Sequence, residues 1–426
     1  MKKISVLSII TAFLTPKVSL VLLLFLTLIS PISAQEKNPK KVDIVRTAVN
    51  DDQVTLRVKV TGEGDRPVMG LSYRDFALQV EGNKVEFDRK NWKSPEESEP
   101  PPAWIIVLMD MSGSMLTPDS SGKTKLEGAM EATTQFLSIL AQRGGNTQVS
   151  IVPFGEGNEK CEGFKVTKQE LDNFLSPNDV KLTNFLTFLA SKKPCASTNL
   201  YQPLEEAIKF LGNREDTRFY LTEEQQKEGK LEPRLSIILV SDGYHNFPNE
   251  AEDFAKLLER LEDYNNVIVH TLGYGLTPQQ LAKKYKLPKP ATRQDVNKGK
   301  VPEEEFVDEK RLAEIAQKTG GIAEFSGDAE DIAENLQLFL NALLGEYEIT
   351  YTDPNPDRGA THKVIVKALD VKSEEKLYII PIFGRTLALN TRLLIFFSTL
   401  ISLGLFGVLP FYFWGKFLKQ KTFDSE

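Results

Sequence analysis

Six apolar residues without a break, 104–109 in the stretch WIIVLMDMSGSM, constrain this chain more than any other feature. An apolar run this short, closed by a polar turn, reads as a strand buried on both faces of a sheet. The closing turn holds Asp110, then Ser112 and Ser114 with Gly113 between them. A carboxylate and two hydroxyls therefore stand at the carboxyl end of a central strand, where open α/β sheets bind their ligands. Oxygen donors of this kind suit a hard divalent cation, Mg²⁺ first, with Mn²⁺ or Ca²⁺ as alternatives.

Strands and helices alternate after that run. The apolar spacing predicts helices over 126–140, 200–211, 250–263, 278–285, 308–318 and 329–344. Residues 169–191 read as a helix in two pieces, broken at Pro177. Short apolar runs predict strands over 148–154, 235–241, 267–272 and 322–325. Residues 286–307, rich in Lys, Pro and Glu, read as a surface insertion with no functional assignment. The alternation predicts an α/β, doubly wound, mostly parallel sheet with helices on both faces.

The flanks follow a different rule. Val54, Leu56, Val58 and Val60 alternate with polar residues, and Phe76, Leu78 and Val80 repeat the pattern. Tyr347, Ile349 and Tyr351, then Val364, Val366 and Ala368, do the same after the central region. Period two with one wet face is antiparallel sheet. The two flanks, 42–92 and 346–384, are expected to share one β-sandwich into which the central domain is inserted. Residues 93–103, KSPEESEPPPA, read as an extended, fairly stiff linker.

Asp110-Met111-Ser112-Gly113-Ser114 resembles the D-x-S-x-S signature of von Willebrand factor A domains. That family adds a Thr from a later loop and an Asp after a later strand. Thr198, in CASTNLYQPLEEA, and Asp242, in LSIILVSDG, stand in those contexts. The resemblance covers roughly residues 100–345, with the domain expected over 104–345. It implies a metal-ion-dependent adhesion site in which Ser112, Ser114 and Thr198 give hydroxyl oxygens, while Asp110 and Asp242 act directly or through waters. It also implies a protein partner whose acidic side chain completes the metal shell. Residues 67–83, PVMGLSYRDFALQVEGN, resemble a segment that membrane-anchored bacterial A-domain proteins carry ahead of the domain.

Other patterns carry less. Residues 122–124, Gly-Lys-Thr before a helix, imitate a phosphate-binding loop, but the Gly needed five positions earlier is Thr117. No nucleotide is expected. A net charge of −7 argues against a nucleic-acid partner. Cys161 and Cys195 form a disulfide by default outside the cytoplasm, or else stay two separate buried thiols. His245, in SDGYHN, reads first as a surface loop residue, with tuning of partner binding as the alternative. No H-E-x-x-H, no G-x-S-x-G and no further carboxylate cluster is present, so no enzyme is expected.

The ends predict a membrane location. Lys2, Lys3 and Lys17, an apolar run over 18–32 and Ser33-Ala34 describe a signal peptide, residues 1–34. Residues 393–415 hold no charge over a length that crosses a bilayer. Lys416, Lys419 and Lys421 place the tail, 416–426, in the cytoplasm and the bulk of the chain outside it. Two functions fit: a metal-dependent binding or adhesion module on a single-pass anchor, or a subunit of a membrane complex whose A domain docks a partner through the metal.

Overall fold

The computed structural model describes residues 38–119, 121–143, 145–222, 224–225, 230–264, 266–381 and 389–423. The expected signal peptide lies outside them. Strands β1 (Lys41–Asn50), β2 (Gln53–Thr61), β3 (Phe76–Val80), β4 (Asn83–Val85) and β5 (Trp92–Lys93) come first. The central domain then supplies β6 (Ala103–Asp110), β7 (Thr147–Phe154), β8 (Arg234–Ser241), β9 (Val267–Tyr274) and β10 (Ala323–Ser326). They form one parallel sheet in the order β10-β9-β8-β6-β7. Its main helices are α1 (Lys125–Arg143), α2 (Lys168–Leu171), α3 (Val180–Ser191), α4 (Tyr201–Leu211), α5 (Glu250–Asp263), α6 (Pro278–Lys284), α7 (Arg293–Asn297), α8 (Glu309–Lys318) and α9 (Ala329–Leu344).

Strand β6 behaves as its sequence demands. Successive side chains point to opposite faces. Ile105, Val107 and Met109 pack with Ala129 and Phe136 of α1 and with Phe339 and Leu340 of α9. Ile106 and Leu108 pack on the other face with Leu204 and Ile208 of α4 and Leu257 of α5. Both faces are dry, which is why no polar residue interrupts the run. The sheet order puts β7 on one side of β6 and β8 on the other. The connection after β6 runs to β7 and the one after β8 runs the opposite way to β9, and the crevice this opens lies at the strands' carboxyl ends.

The helix expected over 169–191 is two helices with a longer gap than one proline requires. Thr167 and Glu170 form a capping box at α2, and Asp179 accepts from the Lys181 N–H to start α3. The strand pattern at the flanks closes into two antiparallel sheets. One runs β1-β2-β11-β5 and the other β13-β12-β3-β4, with β14 also on β12. Here β11 is Tyr347–Thr352, β12 Thr361–Ala368, β13 Val371–Lys372 and β14 Lys376–Ile379. Both sheets therefore mix strands from before and after the central domain. Tyr347 pairs with Val58, and Ala368 with Phe76. The alternating apolar residues of both flanks share one core.

The linker is not extended throughout. Glu97 N–H and Ser98 N–H both donate to the Ser94 carbonyl, at 3.0 and 2.9 Å, making a tight turn. The buried Ser98 hydroxyl donates to the Glu346 carbonyl, 3.0 Å away, and so ties the two ends of the central domain together. Ion pairs Arg234–Glu346 and Arg66–Glu324 add to that join. At the far end of the chain, residues 389–423 are helical, with a π-helical segment at Leu403–Val408. Leu393–Lys419 is long and apolar enough to cross a membrane.

Tyr347 joins the flanks most directly. Its hydroxyl donates to the Val68 carbonyl at 2.9 Å and accepts from the Leu71 N–H at 3.1 Å. Its ring lies 5.0 Å from Phe76 and 5.8 Å from Trp92 between centroids. Tyr347→Phe keeps the ring but leaves a buried N–H and a buried carbonyl unpaired. Denaturant unfolding of the detergent-solubilised chain should show a loss of about 1–2 kcal/mol.

Candidate metal centre

Asp110 is the last residue of β6. Met109 pairs with Val240, so Asp110 lies level with Ser241, and Asp242 is the first residue beyond β8. Parallel pairing alone thus brings the two carboxylates to one edge. Both are buried. Asp110 accepts from the Ser112 N–H through Oδ1, at 2.8 Å, and from the Ser241 hydroxyl through Oδ2, at 2.5 Å. The first contact turns the chain sharply, so that the Ser112 and Ser114 hydroxyls face each other at 2.9 Å. Ser114 belongs to a 3-10 turn, Gly113–Leu116.

Thr198 arrives from another loop, held mainly by its backbone. Ala196 forms a bridge with Ser112, and its carbonyl accepts from Gly113 N–H at 3.0 Å. Ser197 bridges Glu156 on the other side. The approach is close: a Cβ on Gly155 would stand 2.7 Å from the Ala196 Cβ. The Thr198 carbonyl accepts from Asn246 N–H at 3.1 Å. Cys161 and Cys195 are bonded, with Cα atoms 5.8 Å apart, which anchors the start of this loop.

His245 differs from the surface reading. It is 2% exposed, its ring stacks on Tyr201 at 4.1 Å, and Nδ1 accepts from the Leu200 N–H at 3.2 Å. Burial, helped by the Arg293 guanidinium, pushes its pKa down to about 4. It is a neutral strut between the Thr198 loop and the loop after β8. The SDGYHN stretch is polar, and that hid a packing role.

Two buried carboxylates at one edge repel. Loss of solvent and the Asp242 charge push Asp110 up to about 7, against hydrogen bonds from Ser241 and Ser112. Lys125, the first residue of α1, offsets part of this: its ammonium lies 3.3 Å from Asp242 Oδ2. Among the described residues no three His, Cys, Asp or Glu side chains gather as a metal site. A cation here has to be held by hydroxyls as well as carboxylates. The donors fit one. Two oxygens sharing an octahedral edge around a cation about 2.1 Å away stand about 3 Å apart. The Ser112 and Ser114 hydroxyls have that spacing, and Asp110 and Asp242 carry the opposing charge.

Sequence reasoning passed over three contributors. Lys125 and Ser241 look like an exposed helix-start residue and a strand end. The insertion, 286–307, looks like solvent-facing loop, yet its turn Glu303–Glu305 packs by the Gly113–Leu116 turn. It has a small core of its own, Val296, Val301 and Phe306, with Tyr244 and Leu281. Residues 122–124 open α1 instead of wrapping a phosphate: Thr124 and Glu127 exchange hydrogen bonds as a helix cap, and Lys123 pairs with Glu131 at 2.6 Å.

Residues 105–245, which contain all five candidate ligands, match the profile of the von Willebrand factor type A domain. No curated protein matches the chain in sequence. Solved structures similar to it include the conserved hypothetical protein BatB from Bacteroides thetaiotaomicron, with 19% identity, 56% of this chain and 98% of that one covered, and a TM-score of 0.35. An aerotolerance-related membrane protein from Bacteroides fragilis gives 16%, 56%, 98% and 0.33 in the same order. The pilus adhesin SpaC from Lactobacillus rhamnosus GG gives 12%, 78%, 47% and 0.39.

The Asp110 shift has a signed consequence. An acid whose pKa is higher in the fold than in the unfolded chain stabilises the fold below the unfolded value. That contribution is lost as the pH rises through the folded value. For Asp110 the loss runs from 3.8 to about 7. A divalent cation held here would need the ionised form and would compete with the proton at lower pH. Thermal unfolding of the full chain should therefore show a larger Mg²⁺-induced rise in Tm at pH 8 than at pH 5.5. Equal rises would remove Asp110 from the metal shell.

Proposed function

We propose that the von Willebrand factor type A domain of this chain is a metal-dependent protein-binding module of the adhesion type, carried outside the cytoplasm on a single-pass membrane anchor. The observation that carries this reading is the buried pair Asp110 and Asp242 at the switch point of a parallel sheet, with the Ser112 and Ser114 hydroxyls 2.9 Å apart on the turn that follows Asp110. Thr198 comes to the same edge from a third loop. These five residues would hold one divalent cation, Mg²⁺ by preference. Bound there, the cation supplies an electrophilic position open to an oxygen donor from outside. An acidic side chain of a protein partner is the ligand that suits it. This is recognition and involves no catalytic step.

The ligands should differ in weight. Asp110→Ala removes one of only two anionic donors, whereas Ser112→Ala removes one neutral oxygen. Calorimetric Mg²⁺ titration of the full chain in detergent should give at least about tenfold weaker binding for Asp110→Ala, the scale of one lost close charge. Ser112→Ala should lose less. Equal affinity in wild type and Asp110→Ala, both folded by circular dichroism, would sink the site assignment.

The apolar helix Leu393–Lys419 supports the anchor, and Lys416, Lys419 and Lys421 favour a cytoplasmic tail. Protease added to intact cells or spheroplasts should remove the A domain and spare a tag placed on the tail. Protection of the A domain would reverse the topology.

A further inference from the structure

Lys125 is unusual among the lysines of this chain. Its side chain is 6% exposed, and its ammonium meets two acceptors, Asp242 Oδ2 at 3.3 Å and the Glu304 main-chain carbonyl at 3.2 Å. A buried ammonium is costly unless paired and hydrogen-bonded, so the position is specified by its partners. Gly275 lies alongside, where a Cβ would crowd Val307 Cγ2 at 2.7 Å and stand in ordinary contact with the Lys125 ammonium at 3.6 Å. One charge thus links a candidate metal ligand to the insertion.

We infer that Lys125 ties the Glu303–Glu305 turn to Asp242 and competes for that carboxylate with a divalent ion, so that its hold weakens as the ion binds. This rests on the metal-binding reading above. The argument is one of charge. With both ionised, Asp110 and Asp242 carry two negative charges, and Lys125 cancels one. Binding a divalent ion leaves two cations competing for the same carboxylate at close range, in a site with little water to screen them. Lys125 cannot leave the site, because α1 fixes its backbone. Its hold on Asp242 weakens, and with it the geometry that aims its ammonium at the Glu304 carbonyl.

Side-chain contacts hold both ends of the turn: Asn246 donates to Glu303 at 2.8 Å, and Lys284 pairs with Glu305 at 2.6 Å. Arg293 holds the preceding part of the insertion through the His245 carbonyl at 3.0 Å. Loosening is therefore confined to the main chain around Glu304, between those two contacts. Lys125 acts as a positioning residue, and it makes the rim of the binding face respond to the cation.

The test uses the full chain in detergent. Lys125→Met keeps an unbranched side chain one atom shorter and removes its charge, and should bind Mg²⁺ about tenfold tighter, since one repelling charge is gone. Lys125→Arg should bind like wild type. Amide hydrogen exchange over residues 303–306 should speed up when Mg²⁺ is added to wild type. In Lys125→Met it should be fast already and indifferent to Mg²⁺. A purely structural lysine would give the opposite result: weaker binding on substitution. Equal or weaker Mg²⁺ affinity in folded Lys125→Met overturns the inference, as does unchanged or slowed exchange in wild type. If Lys125→Met does not fold, the wild-type exchange measurement decides alone. Failure of the metal reading is told apart by Asp110→Ala: if it binds Mg²⁺ as wild type does, or wild type binds none, the site itself is wrong. If wild type binds through Asp110 and Lys125→Met is no tighter, only the role of Lys125 falls.

Discussion

Two carboxylates buried at the ends of neighbouring parallel strands are the constraint to which the edge of this sheet is fitted. β6 and β8 pair in a register that sets Asp110 beside Ser241 and puts Asp242 next in the chain. Neither acid can turn away, because each follows directly from a strand dry on both faces. The fold answers with donors. Ser241 and the Ser112 N–H serve Asp110, and Lys125 serves Asp242. Every one of these contacts bends a loop or fixes a helix start. The chain around the site is shaped by the need to keep two acids buried side by side.

That need also explains which parts could be read from the sequence. Strand β6 and helices α5 and α9 are legible because one physical signal, apolar spacing, decides them. Asp110, Ser112 and Ser114 stand out as the polar turn that closes β6, whereas Thr198 and Asp242 are picked out only by the resemblance to von Willebrand factor A domains. Lys125 is not, since a lysine in the first turn of a helix normally points to solvent, and only tertiary packing puts it under residue 304. The insertion fails for a related reason. Its core is a handful of apolar residues among lysines and glutamates, too few to set a period, and it is completed by Tyr244, Leu276, Leu281 and Tyr285 from outside the insertion. The linker reading misjudged 94–98, where side-chain hydrogen bonds outweigh the proline-rich composition around them.

The sandwich and the central domain meet through polar contacts more than apolar ones. Arg234–Glu346, Arg66–Glu324 and the Ser98 hydroxyl on the Glu346 carbonyl span the join. Contacts of this kind set orientation through geometry, since each needs a particular angle as well as a distance. The candidate metal ligands are at the carboxyl ends of the strands, and the join is beside their amino ends, at Arg234. The candidate site is thereby held away from the sandwich.

The interleaving of the two flanks orders events in time. β2 finds its neighbour β11 only after the whole central domain has been made, and Leu71 meets Tyr347 across 276 positions of sequence. Pairing so remote is slow for a loose chain, because a long loop must close before any contact rewards it. A folded central domain removes that penalty, for it holds its own two ends side by side. The sandwich is then the last part to assemble, and it closes only on a finished A domain. A chain whose A domain fails is left with β1 and β2 as an unfinished hairpin exposing a bare strand edge, the kind of surface that aggregates or attracts chaperones. The split sandwich is, in kinetic terms, a latch that checks the domain it encloses.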